Sequence, residues 1–392
     1  MSDQAQQSRR RAEAAADSLS SAKDRPDDAC AVVGFDGFVD TIVRMVRSRG
    51  GSGYDDYEPM ERMEELARRI EQAAGRSANL ELAVQRVKAG GNGVLMASGL
   101  AALGAPVTYF GNLGGSQGSK SLHPVFESFA GACRRVYNLG PAGFTDAVEF
   151  NDGKLMLGKL ESLEGVTWEA ALEAAGGVES MRELVSKARI IATGNWTMLE
   201  GMDEIWRGLT EDVLAKLDDG PEARHVFVDL ADPAKRSDAD LEAAAARLGA
   251  MNTRARVTLG LNMAESVRMA KIVGAERHEG DEPDDAALET SAASLREKIR
   301  LRAVVIHHQR GASAAEDDGS ASMLGPYTRN PKLSTGAGDH FNAGFTFSAA
   351  HGLPLEERLA AAVGVSGFYV RRGEAPKLDE LIEFLRDLPS PD

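Results

Sequence analysis

The chain has 392 residues, of which 43% are hydrophobic, so it is long and apolar enough to build a sizeable core. This length favours one large α/β domain with an appended lobe, or two domains. Its 60 acidic residues outnumber 45 basic residues, which gives a formal net charge of −15. Because such a surface repels phosphate backbones and anionic lipids, we expect neither nucleic acid nor a membrane as a partner.

Cysteine content and the N-terminal segment bear on location. Cys30 and Cys133 are the only cysteines, too few for a disulfide framework or a four-thiolate zinc site, which favours a reducing compartment. No apolar run approaches the roughly 20 residues of a membrane helix. Residues 1–29 lack the apolar core of a secretory signal and are predicted to be a flexible leader, frayed or with a short helix. We therefore expect a cytoplasmic protein with one domain over residues 30–392.

Short β-rich runs alternate with helical patterns along the rest of the chain. The predicted strands are 31–33, 39–46, 106–110, 134–138, 190–192, 225–230, 256–259 and 303–306. The predicted helices are 57–74, 92–103, 122–130, 203–217, 241–248, 263–273, 339–351, 355–371 and 378–388. This alternation predicts an α/β fold with a central, mostly parallel sheet and helices on both faces.

Two stretches break the alternation. Asn151-Asp152-Gly153 is a hairpin turn between two β-rich runs, which predicts a small antiparallel lid around residues 145–161. The acidic stretch 276–285 is predicted to be an exposed insertion. Binding sites in parallel sheets lie beyond the carboxyl ends of the strands, so the chemistry should be found there.

The glycine-rich segment before the helix at 339–351 carries the strongest chemical signal. Gly336, Ala337 and Gly338 have almost no side chain, so their backbone N–H groups can point at one anion, which the helix dipole also attracts. Asp339 follows at the helix start, where an ionised carboxylate could accept the proton of an attacking hydroxyl. From spacing alone, a plain helix start capped by Asp339 is an equally good interpretation.

The segment from Thr335 to Phe341, with Gly344 and Phe345 beyond it, resembles the C-terminal motif of the ribokinase-like (PfkB) family of sugar and nucleoside kinases. In that family Gly-Ala-Gly-Asp forms the anion hole and supplies the catalytic Asp. The resemblance implies a ribokinase-like fold and phosphoryl transfer from ATP, with Mg²⁺, to a hydroxyl of a sugar or related polyhydroxylated substrate. Asp339 would be the general base, with Gly336, Ala337 and Gly338 around the phosphoryl group.

Further residues are similar to the family's donor side. Asn262 and Glu265 follow a predicted strand and share one helical face. They look like the Asn-x-x-Glu motif, which organises magnesium through water, a contact that suits an ion that keeps several waters. A polar pair on a helix is otherwise usually just solvated. The resemblance also places Gly311, Ser334, Thr335 and Asn342 near the nucleotide, although Ile306 and His308 depart from the family's Thr-x-Gly-x-x-Gly turn.

The acceptor side is less well defined by the sequence. Asp40 near the first strand is the first choice for the family's hydroxyl-binding Asp, but it lies one residue late, so Asp36 remains a rival. The Gly90-Gly91-Asn92 turn resembles the family's substrate-binding turn, with Asn92 in place of an asparagine that the family has later. The identity of the acceptor (sugar, sugar phosphate or nucleoside) and the choice between ATP and ADP stay open.

Two other functions compete with the kinase. Residues 114–121 nearly spell a P-loop, but Ser119 stands where glycine is required, which favours a loop of the substrate lobe over an NTPase. A non-catalytic sugar- or nucleotide-binding protein is the other alternative; Asp339 argues against it, because a binding module needs no base. Lid hairpins in the family often pair between subunits, which implies a homodimer through the lid.

Overall fold

The computed structural model describes residues 3–51, 53–115, 121–280 and 282–392. The strands are β1 (Ala31–Phe35), β2 (Phe38–Arg49), β3 (Tyr57–Pro59), β4 (Leu82–Gly90), β5 (Val107–Gly111), β6 (Arg135–Asn138), β7 (Gly143–Phe150), β8 (Gly153–Lys159), β9 (Ile190–Thr193), β10 (His225–Asp229), β11 (Arg256–Asn262), β12 (Ala303–His308), β13 (Gly311–Glu316) and β14 (Gly319–Leu324). The helices are α1 (Asp3–Ala22), α2 (Met63–Ala73), α3 (Asn92–Ala102), α4 (Glu127–Ala132), α5 (Trp168–Ala175), α6 (Val178–Ser186), α7 (Met202–Gly208), α8 (Asp238–Met251), α9 (Met263–Val273), α10 (Asp285–Ile299), α11 (Ala337–Ala350), α12 (Leu355–Arg372) and α13 (Leu378–Arg386).

A nine-stranded sheet forms the centre, with the order β14-β13-β12-β11-β10-β9-β1-β5-β6. The seven neighbouring strands β6, β5, β1, β9, β10, β11 and β12 run parallel to one another. Strands β13 and β14 extend the sheet beyond β12 in antiparallel pairs. Every residue of β1, β5 and β9 is buried, as expected when helices cover both faces of a sheet. The predicted α/β fold with a mostly parallel sheet is confirmed.

A second sheet forms the lid, which comprises β2, β3, β4, β7 and β8. The β7–β8 hairpin turns at Asn151 and Asp152, where the Asn-Asp-Gly signal predicted a turn. β4 pairs with β2 and leads directly into the Gly90-Gly91 turn before α3. The lid therefore connects directly to the segment that was predicted to bind the acceptor.

The N-terminal segment corrects the prediction of a flexible leader. Residues Asp3–Ala22 form α1, which packs on α12 and α13. Its buried side chains recur at helical spacing: Ala12, Ala15, Ala16 and Leu19. Ser8 Oγ also accepts a hydrogen bond from the Leu324 N–H at 3.2 Å, which ties α1 to the sheet edge. The prediction was wrong because a stripe made mostly of alanine has the helical period but little hydrophobic contrast.

Several element boundaries also differ from those predicted. The predicted helix 57–74 is instead a short strand, β3, followed by the helix α2. The predicted helix 203–217 is α only in α7, after which the chain continues as a π turn and a 3₁₀ turn. Among the described residues, no helix has the length and apolar character needed to cross a membrane.

Candidate active site

The glycine-rich turn opens α11 at the carboxyl side of the central sheet. Gly336 is the N-cap of α11 and has φ of 93°, a left-handed conformation that glycine adopts without strain. A Cβ at this position would lie only 2.9 Å from Leu95 Cδ1, so a larger residue would also clash. The Ala337 N–H donates to the Ser334 carbonyl at 3.2 Å, a long bond for which a phosphoryl oxygen would compete.

A cleft of about 840 Å³, here called the Gly338 cleft, runs along one side of this turn. Of the residues predicted from the sequence to act at the anion or the donor, those that line it are Asn262, Gly311, Ser334, Ala337 and Gly338. They come from the end of β11, the start of β13 and the segment that opens α11, which are distant in sequence and meet at one end of the sheet. The cleft is large enough for a nucleotide-sized ligand.

Asp339 lies just past the cleft lining, and its residue surface is 7% exposed. Its Oδ1 accepts a hydrogen bond from Asn92 Nδ2 at 3.0 Å. Burial, reinforced by the negative charge of Asp229, raises the pKa of Asp339 well above its ordinary value. The structure therefore places a buried carboxylate, whose pKa is raised, between the Gly338 cleft and the Gly90-Gly91-Asn92 turn.

A network of amide and carboxylate groups supports Asp339. Asn342, one helical turn further along α11, donates from Nδ2 to Asp229 Oδ2 at 2.7 Å. Asp229 ends β10 and also accepts from the Ala231 N–H at 2.7 Å. The sequence predicted that Asn342 lies near the nucleotide. Asn342 is only 1% exposed, which leaves no surface for a direct contact. It instead fixes the carboxylate whose charge raises the pKa of Asp339.

Asn262 and Glu265 form a reciprocal cap at the start of α9. Asn262 Oδ1 accepts from the Glu265 N–H at 2.9 Å, and Glu265 Oε2 accepts from the Asn262 N–H at 2.8 Å. Burial and the charge of Asp229 raise the pKa of Glu265 to about 8. In the part of the chain that the structure describes, no three His, Cys, Asp or Glu side chains are grouped so that they could hold a metal directly.

The two rival aspartates have different surroundings. Asp36 is fully buried and accepts from the N–H groups of Asn92 and Gly93, at 2.9 and 3.0 Å, and from Asn195 Nδ2 at 2.8 Å. Burial raises its pKa to about 6 despite these bonds. A Cβ at Gly91 would lie 2.7 Å from Asp36 Oδ1. Asp36 therefore anchors the start of α3, and its oxygens are already occupied.

Asp40 lies on β2, directly opposite Lys88 of β4. It is 6% exposed, and burial raises its pKa while Lys88 and a hydrogen bond from Thr145 lower it. A Cβ at Gly90 would overlap the Asp40 carboxylate, so glycine is required for this approach. Asp40 thus retains hydrogen-bonding capacity that Asp36 lacks.

Sequence reasoning missed Lys154 of β8. Its Nζ donates to Thr335 Oγ1, so the lid reaches the turn that opens α11. Lys88 is half-buried beside Asp40, and it too was missed. Both follow recognisable signals, since Lys154 is the first residue after the hairpin glycine and Lys88 precedes the Gly90-Gly91 pair by two. Neither signal indicates that the lid contacts the turn before α11.

The Gly338 cleft also corrects the prediction that residues 276–285 form an exposed insertion. Glu282 and Pro283 line the cleft and His278 is 4% exposed, so the 276–285 stretch is not a purely exposed insertion. His307 and His308 line the same cleft. Residues 116–120 of the near-P-loop, including Lys120, lie outside the described residues.

Solved structures share this architecture. A ribokinase from Arabidopsis thaliana complexed with ribose and ATP matches with a TM-score of 0.62 at 17% identity, over 91% of this chain and 98% of that one. A ribokinase from Thermotoga maritima matches with a TM-score of 0.60 at 13% identity, over 91% and 99%. The fold is therefore the ribokinase fold.

Sequence comparison narrows the class. The family model described as prokaryotic ketohexokinase matches residues 6–388. A ketohexokinase from Haloferax volcanii is 31% identical over 375 residues, which is 94% of each chain. The chain belongs to the prokaryotic ketohexokinase family and is a carbohydrate kinase, so the P-loop and the non-catalytic alternatives are not favoured.

Proposed function

We propose that the enzyme transfers the γ-phosphoryl group of ATP to a hydroxyl of a ketohexose, with Asp339 as the general base. The position of Asp339 is the main support for this proposal. Its carboxylate lies between the Gly338 cleft and Asn92, from which it accepts a hydrogen bond. The ketohexose acceptor is supported by the Haloferax volcanii relative, a ketohexokinase. ATP as donor is supported by the kinase family and by the size of the cleft.

In the proposed reaction, the oxygen of the sugar hydroxyl attacks the γ-phosphorus of ATP, and the proton of that hydroxyl passes to Asp339. The bond from that phosphorus to the bridging oxygen breaks, and ADP departs with the electron pair. The amides at Gly338 and its neighbours would face the charge on the transferring group. Mg²⁺ would neutralise donor-phosphate charge, held through water near Asn262 and Glu265, whose oxygen-rich surroundings suit a hard cation. Lys154 would add a positive charge from the lid.

For the acceptor, Asp40, Asn92 and Lys88 would bind the sugar hydroxyls. A carboxylate accepts hydrogen bonds and an ammonium donates them, so the Asp40–Lys88 pair offers both functions in one place. Gly90 keeps the backbone close to Asp40, and Asp36 holds Asn92 and Gly93 in position by accepting their backbone N–H bonds. We therefore assign Asp40 to the sugar and Asp36 to the architecture of the turn.

The substitution Asp339→Asn tests the assigned base. It preserves the shape of the side chain and removes its basicity, so we expect turnover of fructose to fall by about 10²–10⁴-fold. Nucleotide binding, measured by calorimetry, should persist because the Gly338 cleft is unchanged. Turnover close to wild type would remove Asp339 from this role, and a wild-type enzyme that phosphorylates no ketohexose would refute the proposed acceptor.

Asp40→Asn and Asp36→Asn form a matched pair that separates binding from architecture. Asp40→Asn should raise the KM for the sugar by about 10- to 100-fold, since a hydrogen bond to a charged group contributes about 1.5–3 kcal/mol. In Asp36→Asn, an amide N–H₂ group replaces a carboxylate oxygen, so donor faces donor at a buried site. This should lower the free energy of unfolding by about 1–3 kcal/mol. Urea denaturation and steady-state kinetics of both variants check this. The reverse pattern would exchange the two assignments.

We also propose a homodimer formed through the lid. β4 is an edge strand with its outer side unpaired among the described strands, and it exposes Leu82, Val84 and Val87. Val84 is 60% exposed, which is unusual for an apolar residue on an open edge, where strands of a second chain readily pair. A second copy of the lid offers a matching apolar edge.

Sedimentation equilibrium tests the dimer. The wild type should have twice the 41.8 kDa mass of one chain at micromolar concentration. The Val84→Glu variant should have the mass of a single chain, because the new charge lies in the proposed contact. Ile70→Glu is the control, since Ile70 is similarly exposed at 56% but lies on α2. A monomeric wild type would exclude the lid dimer.

A further inference from the structure

His340 directly follows Asp339 in α11, and its ring turns back toward the start of the helix. Its Nδ1 lies 2.8 Å from the Gly336 carbonyl oxygen, which also accepts the His340 backbone N–H at 3.1 Å. Because a carbonyl oxygen only accepts hydrogen bonds, Nδ1 must carry the hydrogen. The side chain thus adds a second bond to the one peptide group that caps α11.

Tyr369 of α12 completes this contact from the other side. Its ring stacks on the His340 ring with centroids 3.7 Å apart and planes 15° from parallel. Its hydroxyl donates to the Thr335 carbonyl at 2.8 Å. Two stacked rings therefore hold two consecutive carbonyl groups, those of Thr335 and Gly336.

These carbonyl bonds determine the direction of the amides. In a planar trans peptide, the C=O of one residue and the N–H of the next point to opposite sides. Holding the Thr335 and Gly336 carbonyls against the rings therefore directs the N–H groups of Gly336 and Ala337 away from them. Ala337 lines the Gly338 cleft, and its N–H donates only a long bond of 3.2 Å to the Ser334 carbonyl, so the same constraint orients the turn that a transferring phosphoryl group would approach.

We propose that His340 and Tyr369 act as a loop clamp, a pair of positioning residues that keeps the Thr335–Gly338 turn in the conformation that receives the transferring phosphoryl group. The role of the clamp in turnover rests on the proposed kinase function; its role in holding the turn does not.

Both residues are almost fully buried, with exposures of 2% for His340 and 5% for Tyr369, so their polar atoms need hydrogen-bond partners inside the protein. Here both polar atoms reach neighbouring carbonyls of one turn. Burial lowers the pKa of His340 to about 4, so the ring stays neutral at neutral pH and adds no charge beside Asp339.

The substitutions His340→Phe and Tyr369→Phe test the clamp because each keeps an aromatic ring and removes one hydrogen bond. Each should lower kcat by about 10- to 100-fold, since misdirected donors lose transition-state stabilisation. The KM for the sugar should change by less than about threefold, because Asp40 and Asn92 are untouched. His340→Asn, whose amide nitrogen can take the place of Nδ1, should recover part of the kcat that His340→Phe loses.

A second readout is independent of turnover. Amide hydrogen exchange of the peptide covering residues 333–340, measured well below the melting temperature of each protein, should be at least about tenfold faster in both Phe variants than in the wild type. Unchanged kcat and unchanged exchange in His340→Phe would overturn the clamp, as would a loss of activity that only follows a loss of stability. If the wild type phosphorylates no sugar, the proposed function fails, and the exchange rates still decide whether His340 and Tyr369 hold the turn.

Discussion

The structure of the site depends on a negative charge held away from water. Asp339 is buried at the start of α11 and shares its surroundings with Asp229, so its ionised form is costly and its affinity for a proton is high. The contacts that favour the ionised form are hydrogen bonds from Asn92 and from the backbone N–H of Asp339 itself, together with the favourable end of a helix dipole. A carboxylate that is costly to ionise is a better proton acceptor than an exposed one, which suits a base for an alcohol.

The fold brings donor and acceptor groups to this carboxylate from two directions. Residues at the ends of β11 and β12 and the start of α11 form the Gly338 cleft, whereas the lid supplies Asp40, Lys88 and Lys154. The lid contacts the turn before α11 through Lys154 and Thr335. It therefore places a positive charge beside the turn that a transferring phosphoryl group would approach, where this charge would stabilise the transition state.

The sequence was sufficient for the sheet and for the glycine turn, because buried β-branched runs and the Gly-Ala-Gly-Asp segment are local signals. It was insufficient where a role depends on distant contacts. The alanine stripe of α1 is buried by α12 and α13, and this packing could not be predicted from the local sequence. Asp36 and Asp40 could not be ranked, since only the fold shows that Asn195 and the start of α3 occupy Asp36. His340 and Tyr369 are 29 positions apart, so no spacing rule links them.

The pH dependence of kcat/KM for the sugar, at saturating magnesium and nucleotide, tests the central claim most directly. Asp339 must be ionised to accept a proton, so activity should be lost as pH falls through its pKa, about tenfold per unit. Because that pKa is raised, the midpoint should lie well above 3.8, and it should persist in Asp36→Asn, which removes another buried carboxyl of raised pKa. A midpoint near the ordinary aspartate value, or one that disappears in Asp36→Asn, would contradict the assignment of Asp339 as the buried base.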